Sequence, residues 1–277
     1  MDGLAGTISS LADIEFHRIL PPSGYRNGLP AAQRPDAGDG AIPAETAGRD
    51  FFGYKPTHLA TTPPRPALAR ATNRVQAIMS SGRYDGAIWT QGSPNIEETA
   101  YWFNLLIDTG RPIACNAAQR PQGQISNDGP HNLLDSVRYI SSRAWDDGQG
   151  RNRMGTVLVQ EQQLFAAREV AKADARPGGY IATGGHGGIL GQVSHLGNIA
   201  VMYLPAYKHT YCSDVRLSVL PKSVQAVRMK DGRLSRFYLP IKTAAGEIDE
   251  GAIPNVSIVK DGGYCTIDWG DDPSLEA

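Results

Sequence analysis

The chain has 277 residues, a formal net charge of −1 and 41% hydrophobic residues, enough to bury one large core or two smaller ones. That balance gives no electrostatic case for nucleic acid or an anionic membrane. No apolar run reaches membrane-spanning length, and the N-terminus lacks a basic region followed by an apolar one. The three cysteines, Cys115, Cys212 and Cys265, are far apart and odd in number, which argues against a disulfide framework and for a reducing, cytoplasmic compartment.

Residues 1–10 read MDGLAGTISS, with the hydroxyl of Thr7 set among small residues before Ile8. Residues 19–66 are rich in Pro, Gly and Ala and read as loop. Within them Tyr25 lies between Gly24 and Gly28, which suits a hinged lid or a plain surface anchor. Residues 65–81 read as a helix, apolar at Leu68, Ala71, Val75 and Ile78. Thr62 falls just before it, as an ordinary N-cap or as a hydroxyl beside free helix N–H groups, where a carboxylate would bind.

Residues 82–132 organise the rest. A short apolar run, 86–89, is followed by the turn Gln91-Gly92-Ser93-Pro94-Asn95. A helix is then predicted over 96–107, apolar at Ile96, Ala100, Phe103, Leu106 and Ile107, with Glu97 and Glu98 in the first turn, where the helix dipole favours acids. Acids there usually face solvent. Residues 112–118 read as a second buried strand, and a polar loop leads to a further helix over 132–142. Strand, turn, helix, strand is a βαβ unit, in which ligands sit where strand C-ends meet helix N-ends. Residues 91–95 and 118–128 are therefore where chemistry is expected. Asp128 reads as a capping residue at the entry of the third helix.

Beyond 142, a strand is predicted over 156–159. The glycine-dense stretch 178–191 reads as loop and lacks the spacing of a dinucleotide fingerprint. Residues 193–207 predict a hairpin. A second, over 224–241, turns at Asp231-Gly232 between alternating residues and is read as solvated. Residues 256–259 form a last strand candidate. None of the six histidines pairs with another at metal-ligand spacing, so no metal or cofactor is expected.

Several blocks in this order carry a family resemblance. They are Asp85-Gly86, Thr90-Gln91-Gly92-Ser93-Pro94-Asn95-Ile96-Glu97-Glu98-Thr99-Ala100, Gln119-Arg120-Pro121 and Ser126-Asn127-Asp128-Gly129-Pro130-His131-Asn132-Leu133. The pattern resembles the bacterial-type L-asparaginase/glutaminase family. The resemblance implies an α/β fold, with a flavodoxin-like parallel sheet, helices on both faces and a reduced C-terminal segment. It divides the chain into an N-terminal domain (1–205), a linker and hairpin region (206–254) and the start of a C-terminal domain (255–277), both ends being shortened. It also implies an amidohydrolase that turns a carboxamide into a carboxylate and ammonia without a cofactor, assembled as a homodimer or homotetramer.

Carried over residue by residue, the resemblance makes Thr7 the nucleophile, Ser93 the second hydroxyl, Lys172 the base and Tyr25 the lid. Thr62, Gly92, Pro94, Asn95 and Gln119 then line the substrate. From the residues alone, Ser93 is equally a helix N-cap and Lys172 equally an exposed helix charge. Pro94 stands where the family has an aspartate that pairs with the substrate's α-ammonium, and proline offers neither charge nor N–H. An ammonium buried without its carboxylate costs about 3–5 kcal/mol. The expected substrate is therefore an amide without a free α-ammonium. The alternative is an inactive member of the fold that binds a small carboxylate or is a remnant.

Overall fold

Strand β1 (Ala87–Thr90) is short because Gly86 and Gly92 flank it, and it is joined in parallel by β2 (Ile113–Asn116) and then β3 (Thr156–Gln160). The molecule is described by a computed structural model over residues 8, 11–15, 17, 65–93, 96–120, 125–174, 178–183, 185–207, 209–230, 233–249, 257–261 and 264–268. Thr7, Tyr25, Thr62, Pro94 and Asn95 lie outside these residues. Helix α1 (Arg65–Ser80) precedes β1, α2 (Ile96–Leu106) links β1 to β2, and α3 (Gly129–Ser142) links β2 to β3. All six of these elements were expected from the apolar spacing, within two or three residues at their ends.

Alternation along the strands divides two cores. Ile113, Cys115, Leu158 and Phe165 pack against Ala71 and Val75 of α1 and Ile96, Ala100 and Phe103 of α2. Ala114, Val157, Val159 and Leu164 pack against Tyr139 of α3 on the other face. Helices thus cover both faces, as expected. Phe103 is fully buried and meets Trp89 edge-on at 5.0 Å. Its truncation to alanine is expected to cost about 3–5 kcal/mol. Gly86 is required for close packing: a Cβ there would lie 3.0 Å from Ile140 and from Pro112.

The two crossovers step the same way across the sheet yet lie on opposite faces, so they have opposite hands. One of them departs from the right-handed rule. The consequence is local and useful. The chain leaves β1 toward one face and leaves β2 toward the other, and in such sheets the crevice between those loops, at the strand C-ends, is where a ligand binds.

The sheet is mixed rather than parallel throughout. β4 (Gln163–Ala166), β7 (Ile189–Val193) and β8 (Ile199–Val201) extend it antiparallel, in the order β1-β2-β3-β4-β7-β8. β3 turns into β4 through Glu161 and Gln162 alone, both with positive φ (50° and 63°), the geometry of a tight hairpin turn. The 178–191 stretch is not simply loop. It holds β6 (Tyr180–Ala182), paired antiparallel with β5 (Val170–Lys172), and most of β7. The hairpin expected at 193–207 starts earlier, as β7–β8 over 189–201, because most of β7 lies in the stretch read as loop, whereas the one expected at 224–241 forms as β9 (Ser223–Lys230) with β10 (Arg233–Pro240). Phe237 of the latter is buried, so that hairpin is not wholly solvated. β11 (Ser257–Asp261) and β12 (Tyr264–Asp268) make a separate two-stranded sheet.

Candidate active site

The loops that leave β1 and β2 bring Ser93 and Gln119 face to face. Ser93 is 7% exposed, and its hydroxyl donates to Gln119 Oε1 at 3.2 Å. On the other side Lys172 Nζ donates to Ser93 Oγ at 2.5 Å. Lys172 stands at the end of a strand, half-buried, and is not an exposed helix charge. Ser93, for its part, accepts from Lys172 and donates to Gln119. These two residues are 79 positions apart in the chain and share one hydrogen bond. A hydroxyl held by an amine that can accept its proton is the minimal unit of an activated alcohol.

Three neighbours hold this pair. Tyr180 of β6 donates its hydroxyl to the Ser93 carbonyl at 2.6 Å, fixing the bend. Burial raises the Tyr180 hydroxyl well above its ordinary value, helped by the nearby Glu97 charge, so it stays a donor. Glu97 turns inward, contrary to the expectation for a first-turn acid. Its Oε1 accepts the Lys172 backbone N–H at 3.4 Å, and its Oε2 is buried without a hydrogen-bond partner among the described residues. Glu98 is pushed up from its usual carboxylate range, first by burial. Gln119 also donates through Nε2 to the Asp174 carbonyl at 3.4 Å, tying the β2 loop to the segment after β5.

Behind the crevice lies a second polar group. Asp128 precedes α3 but makes no capping bond from its side chain. Its carboxylate reaches instead across the β2 loop, accepting from the backbone N–H of Gln119 at 3.0 Å and of Arg120 at 2.8 Å. Asn132 Nδ2 at 3.1 Å and Gln160 Nε2 complete its shell. Burial pushes this carboxyl up, but those backbone donors outweigh it and hold it below the ordinary range. Gln119 is thereby fixed from behind while its side chain meets Ser93. In front, Arg120 pairs with Glu161 at 2.9 Å, closing the rim.

Among the described residues nothing lies within 4 Å of where a Cβ on Gly92 would sit. Of the residues singled out in the sequence, the structure brings Ser93, Lys172, Gln119 and Gly92 to one place. Tyr180 and Glu97 join them, and neither was read in that role from the sequence. Tyr180 carries no signal beyond a lone aromatic in a glycine-dense stretch. Glu97 looks like any acid in the first turn of a helix.

The fold and the crevice together define an α/β domain with a hydroxyl–amine pair at the C-terminal edge of its parallel strands. Residues 65–194 match the family model "Asparaginase, N-terminal". Over that span the chain is similar to the N-terminal domain of the asparaginase family. It is 33% identical over 141 residues to L-asparaginase 2 of Escherichia coli (strain K12), covering 50% of this chain and 38% of that protein. It is 31% identical over 107 residues to L-asparaginase 2 of Bacillus subtilis (strain 168), covering 39% and 27%. The chain thus spans well under half the length of these relatives. The crystal structure of a probable cytoplasmic L-asparaginase from Campylobacter jejuni superposes with a TM-score of 0.55 at 21% identity. That match covers 79% of this chain and 54% of the other, and the likeness is one of fold.

Proposed function

We propose that this chain is an amidohydrolase of the asparaginase type that hydrolyses a carboxamide to a carboxylate and ammonia. The observation that carries the reading is the 2.5 Å contact between Lys172 Nζ and Ser93 Oγ in the crevice between β1 and β2. Lys172 takes the Ser93 proton. Ser93 in turn draws a proton from the attacking oxygen, Thr7 in this reading, or attacks the carbonyl carbon itself. The C–N bond breaks, the amine returns the proton to the leaving nitrogen as ammonia, and water releases the carboxylate. Tyr25 closes over the substrate, and Thr62, Gly92, Asn95 and Gln119 contact it.

Pro94 sets the substrate class, because it removes the carboxylate that would neutralise an α-ammonium. N-acylated, cyclic or dicarboxylic-acid amides are therefore preferred over free asparagine or glutamine. The same residue is what favours a second reading, a non-catalytic protein that binds a small carboxylate. In the first reading residues 1–205 are the catalytic domain, 206–254 a linker and hairpin region and 255–277 the start of a second domain. The protein works in the cytoplasm as a homodimer or homotetramer.

Ammonia release from asparagine, glutamine, N-acetylasparagine and succinamate, measured on wild type, Ser93→Ala and Lys172→Ala, tests this. The expected result is faster turnover of the last two amides and loss of at least about a hundredfold in both variants. Release from none of the amides leaves the carboxylate-binding reading. Equal release by wild type and Lys172→Ala refutes the mechanism.

A further inference from the structure

At the opposite end of the same sheet, where β3 begins and β4 ends, lies a cavity of about 370 Å³ that the crevice chemistry does not use. That volume suits one small metabolite. Its walls come from α2, from the turn after β4, from residues 203–207 and from His209. Tyr101 and Tyr207 line it and remain 37% and 54% exposed.

Polar groups are set into this apolar lining in a shaped way. Gly155 has φ +71°, and a Cβ there would lie 2.6 Å from Asn104 Oδ1 and 2.9 Å from the His209 ring. Only glycine lets both side chains close on the backbone at the cavity floor. Asn104 Oδ1 accepts the Thr156 N–H at 2.9 Å. Thr156, 1% exposed, lines the cavity too, and its hydroxyl has no partner among the described residues. The His209 Nδ1–H donates to the Tyr207 carbonyl at 2.6 Å, which leaves Nε2 as an acceptor. Burial lowers the ring's pKa and keeps it neutral. At the rim the Arg168 guanidinium stacks 3.5 Å from the centroid of the Tyr207 ring, with Glu169 Oε1 3.6 Å from its Nε. Stacking occupies the face of the guanidinium and Glu169 sits at its Nε, which among the described residues leaves the Nη N–H groups for a planar anion.

We propose that this cavity is a second ligand site, separate from the Ser93–Lys172 crevice, that takes a small aromatic carboxylate bearing a hydroxyl. The carboxylate pairs with Arg168, the ring lies against Tyr101 and Tyr207, and the hydroxyl donates to His209 Nε2. The cavity turn 166–169 runs directly into β5, whose last residue is Lys172. Occupancy is therefore placed to adjust the position of the amine. The site itself does not depend on the amidohydrolase reading.

Calorimetric titration of the full chain with 4-hydroxybenzoate, and with phenol as the arm lacking the carboxylate, tests the proposal. Wild type is expected to bind 4-hydroxybenzoate at least tenfold tighter than phenol. Arg168→Gln, on an exposed side chain, is expected to weaken it at least tenfold, and Thr156→Val by a smaller factor. Ser93→Ala is expected to bind it as wild type does. Three results would overturn the site: no binding at millimolar concentration, equal binding of phenol, or binding lost in Ser93→Ala and kept in Arg168→Gln. The last would move the aromatic acid into the crevice.

Discussion

Two polar clusters sit at the C-terminal edge of the same parallel strands, and they are built to different ends. The Asp128 cluster is closed. Asp128 is 4% exposed and accepts from Gln119, Arg120, Asn132 and Gln160. Asn132 in turn donates to the Ala117 carbonyl at 2.8 Å and accepts the Glu161 N–H at 3.1 Å. The Ser93 cluster is open. Among the described residues Lys172 Nζ donates to Ser93 alone, and Glu97 Oε2 has no partner. A buried network in which every group is satisfied fixes a backbone, whereas one with spare donors and acceptors is available for a reaction. Gln119 joins the two, its backbone held by Asp128 and its side chain by Ser93.

This division of labour can be broken from either side. The largest expected effect is on chemistry. Lys172→Ala is expected to cut ammonia release by about 10²–10⁴-fold while leaving the thermal midpoint within a degree or two, as read by parallel assay and melting. Asp128→Ala is expected to do the reverse. It leaves two backbone N–H groups and two side-chain amides without their acceptor, so unfolding free energy should fall by about 3 kcal/mol in a denaturant titration. Activity should then drop only as far as Gln119 loosens.

A pH titration of stability sharpens the contrast. The folded-state pKa of Asp128 lies below its unfolded value, so its contribution is fully present above the unfolded carboxylate range near pH 4. It is lost as pH falls through the depressed folded value. Asp128→Asn should therefore show a shallower loss of stability on that acid limb than wild type, measured by melting across the range. The smallest effect is expected from Tyr180→Phe, which removes the 2.6 Å bond to the Ser93 carbonyl. About 1 kcal/mol of stability and a few-fold in turnover should go together.

Legibility in the sequence follows the same physics. β1, α2, β2, α3 and β3 were readable because each is bounded by glycine, proline or a polar turn and carries a clean period. The β3–β4 turn was not, because Glu161 and Gln162 adopt positive φ without the Asn-Gly or Asp-Gly chemistry that normally marks such a turn. β6 and β7 were hidden by the glycines around them. In the site, Ser93 and Lys172 were found through the family resemblance, with no local pattern able to join residues so far apart. The role of Asp128 was misread as capping because a carboxylate before a helix usually serves that helix. Here the adjacent strand loop supplies two better-placed backbone donors.

The central claim is that Ser93 and Lys172 act as one proton-transferring unit. A double-mutant cycle on ammonia release, with Ser93→Ala, Lys172→Ala and the double variant on the preferred amide, tests it directly. A double variant no slower than the poorer single one is the predicted result. Losses that multiply would mean that the two side chains work independently, and the account would fail.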